Sequence, residues 1–80
     1  MSNTTTRPLY EVAMEIKKDW AKVNFGAEPY LNALLCLNKP EDSYGVEDGK
    51  TQIIYFLSNA NSWKGETAKR IKKELNAMIK

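Results

Sequence analysis

The stretch Ser62-Trp63-Lys64-Gly65-Glu66-Thr67-Ala68-Lys69-Arg70-Ile71-Lys72-Lys73-Glu74-Leu75-Asn76-Ala77-Met78-Ile79-Lys80 constrains the fold most strongly. Its apolar residues Ala68, Ile71, Leu75 and Met78 recur at steps of three and four, which places them on one stripe of an α-helix. Such a stripe must be covered by other elements. Lys69, Lys72, Lys73 and Lys80 fall on the opposite side, so the helix has a basic outer face.

The rest of the chain can supply the cover only with more short helices. Leu9, Val12, Ile16, Trp20 and Val23 form a second stripe, and the spacing predicts a helix over 7–24. Pro8 suits its first turn, a preceding threonine can cap it, and Gly26 ends it by adopting a positive φ. Glu11 and Glu15 lie early and Lys18 and Lys22 late, as the helix dipole favours. A third helix is expected over 28–38, where Tyr30, Leu31, Ala33, Leu34, Leu35, Cys36 and Leu37 leave almost no polar face. This segment is expected at the centre of the fold.

The segment Thr51-Gln52-Ile53-Ile54-Tyr55-Phe56-Leu57-Ser58 has the β-branched and aromatic content of a buried strand. A lone strand, however, leaves its backbone hydrogen bonds unpaired, and no other segment resembles a partner strand. Val46, Lys50, Ile53, Leu57 and Ala60 fit a helical face, so a helix is predicted over 46–60, with Asn61 or Ser62 capping the last helix over 62–79. The expected fold class is all-α: one domain, 1–80, built as a compact bundle of about four short helices, with residues 1–6 frayed at the N-terminus.

At 80 residues, such a domain has a net stability of about 3–8 kcal/mol and little room for a deep cleft. Its longest apolar runs are far short of a bilayer span, and the polar start Met1-Ser2-Asn3-Thr4-Thr5-Thr6-Arg7 lacks the pattern of a secretion signal. A cytoplasmic protein with no membrane association is expected. Cys36 is the single cysteine and, within an apolar run, reads as a small core residue. The chain contains no histidine. That removes the usual zinc sites and every histidine-based acid, base or activated nucleophile.

The remaining chemical motifs read as ordinary surface. Gly45-Val46-Glu47-Asp48-Gly49-Lys50-Thr51 has three residues between its glycines where a phosphate-binding loop needs four, and no hydrophobic strand precedes it. Asp42, Glu47 and Asp48 do not occupy the alternating positions of an EF-hand loop. Glu11 and Glu15 on an exposed helix lie in no pocket. An enzyme, a cofactor or a small-molecule substrate is therefore not expected.

Charge is unevenly distributed although the net charge is only +2. Residues 41–48 carry four negative charges, whereas residues 64–80 carry six positive and two negative ones. The aromatic residues Trp20, Phe25, Tyr30, Tyr44, Tyr55, Phe56 and Trp63 are too numerous for surface roles alone, so most are expected in the core. Trp63 has two readings: it closes the core between the last two helices, or it stands partly exposed beside Lys64 as an anchor for a partner.

The runs Asp19-Trp20-Ala21-Lys22-Val23-Asn24-Phe25-Gly26-Ala27-Glu28-Pro29-Tyr30-Leu31 and Tyr55-Phe56-Leu57-Ser58-Asn59-Ala60-Asn61-Ser62-Trp63-Lys64-Gly65-Glu66-Thr67-Ala68-Lys69-Arg70-Ile71-Lys72 resemble small uncharacterised proteins of bacterial phages, prophages and mobile elements. The resemblance extends over residues 8–80. It implies a small accessory protein, made in a bacterial cytoplasm, that binds a host or element-encoded macromolecule. It implies no catalytic or ligand residues.

Two functional expectations follow. The first is a non-enzymatic protein that binds another protein through Trp63, Lys64, Lys69, Arg70, Lys72 and Lys73. The alternative is a nucleic-acid-binding protein in which the lysines of the last helix, Lys80 included, follow a phosphate backbone. Scarce arginine and few polar base-reading residues argue against sequence-specific readout.

Overall fold

The computed structural model describes residues 7–79 and contains, in chain order, α1 (Leu9–Asp19), α2 (Glu28–Leu34), β1 (Ser43–Tyr44), β2 (Glu47–Asp48), α3 (Gly49–Ser58) and α4 (Glu66–Met78). The fold is mostly helical. A two-stranded antiparallel hairpin interrupts it, pairing Ser43 with Asp48 and Tyr44 with Glu47. The expected fraying of residues 1–6 lies outside the described residues.

Each helix boundary follows from where the terminal amides find acceptors. α1 is preceded by Pro8, without a side-chain cap. The Leu9 and Tyr10 amides instead donate to the carbonyls of Asn38 (2.8 Å) and Leu37 (3.0 Å), which ties the start of α1 to the chain leaving α2. At its other end α1 stops at Asp19, well before the expected residue 24. Trp20 has left helical geometry (φ −104°, ψ 78°), and its indole stacks on that of Trp63, with centroids 5.6 Å apart and planes 9° apart. Both rings meet Phe56 edge-on, at 6.2 and 6.3 Å. The turn that follows is held by Asn24, which accepts from the Gly26 amide and donates to the Asn59 carbonyl. Gly26 does not have the positive φ expected of it. It is needed for close approach, since a Cβ there would lie 2.9 Å from Asn59 Oδ1.

α2 is also shorter than expected. After Leu34 the chain tightens, with the Cys36 amide donating to Ala33 and that of Leu37 to Leu34, both across three residues. This narrower turn carries Leu37 into the core and leaves Cys36 exposed, contrary to its reading as a core residue. Leu34 is fully buried and Leu35 only half-buried.

The helix expected from residue 46 begins three residues later, at Gly49. Asp48 has extended geometry and caps α3 through its carboxylate, accepting from the Thr51 amide (3.0 Å) and hydroxyl (2.9 Å). The Gly49 and Lys50 amides are satisfied by the carbonyls of Asp42 and Pro40. Residues 46–48 are thereby committed to the hairpin. Gly45, at φ +68°, occupies the first turn position, and Val46 beside it is completely exposed, not part of a helical face. The one buried polar side chain among the described residues, Gln52, donates to Glu47 Oε1 at 2.9 Å and so locks the hairpin onto α3.

The core gathers Leu9, Val12, Ala13 and Ile16 of α1, Leu31 and Leu34 of α2, Ile53 and Phe56 of α3, and Ala68, Ile71 and Leu75 of α4. The α4 stripe is the one read from the sequence. Its start is later than expected: Gly65, at φ +114°, precedes the helix, and neither Asn61 nor Ser62 caps it.

Candidate functional site

The basic helix is the natural place to look for a contact surface, and its cations turn out to have different roles. Lys64, Lys69 and Lys73 are exposed. Arg70 is committed to an ion pair with Glu15 of α1. Glu15 also pairs with Arg7 at 2.8 Å, and Arg7 forks onto both carboxylate oxygens of Glu74 at 2.8 and 3.1 Å. The four side chains form one network that fastens α4 to α1 and to the segment before it. Its charges respond accordingly: the Arg7 guanidinium is pushed up, chiefly by its bond to Glu74, and the Glu15 carboxyl is held below its ordinary value, first by Arg70 and then by Arg7.

Lys72 serves the fold as well. Its Nζ donates to the Trp63 carbonyl at 2.7 Å and stands 5.9 Å from the centroid of the Trp63 ring. Partial burial, with Lys64 nearby as the second cause, pushes its ammonium below the usual lysine range. Lys64, Lys69 and Lys72 nevertheless surround a shallow groove of about 520 Å³ at the start of α4, with Glu66 on its rim. The helix there has no side-chain cap. Its first-turn amides and the three ammonium groups together give a locally positive surface.

Trp63 is 2% exposed, which resolves its two readings in favour of the core. Its indole nitrogen donates to Asp19 Oδ2 at 2.9 Å. Of the six residues singled out in the sequence, Lys64, Lys69 and Lys72 line the groove together with the largely buried Trp63, whereas Lys73 is exposed elsewhere on α4 and Arg70 is paired with Glu15.

A second feature is absent from the sequence reading. Phe25 is 90% exposed, and Ile54 and Tyr55 of α3 are also exposed, whereas Trp20, Tyr30, Phe56 and Trp63 lie in or against the core, in line with the expectation that most aromatics pack inside. Tyr30 of α2 packs against Tyr55, with ring centroids 5.2 Å apart. The turn bearing Phe25 is pinned to Asn59, whose side chain in turn donates to the Tyr55 carbonyl. The exposed set thus comprises Ile54 and Tyr55 of α3, the latter paired with Tyr30 of α2, and Phe25 in the turn before α2. The signal for it lay in the unbroken run Ile53-Ile54-Tyr55-Phe56: four consecutive residues span most of a helix circumference, so not all of them can face one core.

A groove of about 580 Å³ runs between Arg7, Lys39, Pro40, Lys50 and Met78, with Glu41 at its edge. Among the described residues no three His, Cys, Asp or Glu side chains gather where they could hold a metal ion. Among the same described residues no helix is long and apolar enough to cross a membrane. Compared with models of known protein families, with curated proteins and with solved structures, the chain matches none.

Proposed function

We propose that this chain is a small non-enzymatic accessory protein that acts by binding another protein, and that it does so through the exposed aromatic side chains Phe25 and Tyr55. The observation that carries this reading is the exposure of Phe25 beside a turn fixed by Asn24 and Asn59. A single exposed apolar side chain is common on protein surfaces, but a phenyl ring held almost wholly in water by a well-bonded turn is placed where a partner can bury it. Aromatic side chains dominate the energetic centres of protein interfaces. The phage or mobile-element origin implied by the sequence resemblance belongs to the same proposal, with a host or element-encoded protein in the bacterial cytoplasm as the partner.

A nucleic-acid partner is the second reading. It is favoured by the cluster of Lys64, Lys69 and Lys72 at the uncapped start of α4. Against it, Arg70 and Lys72 are already engaged within the fold.

The test is capture from bacterial lysate on the immobilised chain, before and after nuclease treatment, followed by affinity measurements with the purified captured species. Phe25→Ser and Tyr55→Ser should each weaken a protein partner about tenfold or more, a loss of about 1.4 kcal/mol. Replacing Lys64, Lys69 and Lys73 by glutamine should mainly slow its association. Disappearance of every captured species with nuclease, or binding that depends on the lysines and on salt but not on Phe25 and Tyr55, would overturn the proposal in favour of nucleic acid.

A further inference from the structure

No further inference is drawn: the strongest candidate, the groove lined by Lys64, Lys69 and Lys72 at the start of α4, rests on an uncapped helix N-terminus, and no buried, unpartnered polar side chain among the described residues is aimed into it to indicate a ligand.

Discussion

Replacing Trp63 by alanine should unfold much of the population, and the magnitude can be worked from its surroundings. An indole buries about 150–250 Å², which at about 25 cal/mol per Å² corresponds to about 4–6 kcal/mol of transfer free energy. Alanine keeps a small part of that, and partial collapse of the cavity recovers a little more, so the expected cost is about 3–5 kcal/mol. The lost contacts are the stack on Trp20, the edge-on contact with Phe56, the bond to Asp19 and the cation of Lys72 above the ring. Against a total of about 3–8 kcal/mol for a domain of this size, the variant should be marginal or unfolded. Trp63→Phe retains a ring between Trp20 and Phe56 and gives up only bulk and the bond to exposed Asp19, so about 1–2 kcal/mol is expected. Urea unfolding followed by far-ultraviolet circular dichroism measures both. If Trp63→Ala lost less than about 1 kcal/mol while partner binding collapsed, the indole would be a contact residue and its assignment to the core would be wrong.

Three further outcomes follow from the structure. Gly49→Ala should cost about 1–3 kcal/mol, because a Cβ there would lie 2.9 Å from the Pro40 carbonyl and 3.0 Å from that of Lys39, both backbone atoms held by the loop. An unchanged urea midpoint would show that the loop yields freely. Cys36 should react with a thiol reagent in the native protein at a rate close to that in urea, since it lies on the surface; a reaction requiring unfolding would place it in the core after all. The Glu15 carboxyl is held below its ordinary value of 4.5, so its contribution is present above that value and disappears as pH falls through the lower folded-state value. Glu15→Gln should therefore be less stable than the parent near neutral pH, with the gap closing as the solution is acidified below 4.5; parallel pH profiles would show that Arg7 and Arg70 do not act through this carboxylate.

The amphipathic stripes were legible because burying one helical face is a local property of spacing. Ala68, Ile71 and Leu75 on α4, and Leu9, Val12 and Ile16 on α1, follow directly from steps of three and four. The helical rather than extended state of Ile53 and Phe56 was also within reach, since backbone groups without a partner strand must bond within their own segment.

The helix ends were decided by tertiary contacts. α1 stops where Trp20 finds Trp63, 43 residues further along the chain, and α3 starts where Asp48 can cap it while Pro40 and Asp42 supply carbonyls to its first amides. The same holds for the surface. A lysine reads identically in sequence whether it faces water, as Lys69 does, or donates to a carbonyl, as Lys72 does. Trp63 and Phe25 are each large aromatics beside a glycine-containing turn, yet one is buried and the other exposed. Composition and periodicity fix which face of a regular element is apolar; which aromatic outside such an element is covered depends on what the rest of the chain places over it, and that is known only once the helices are packed.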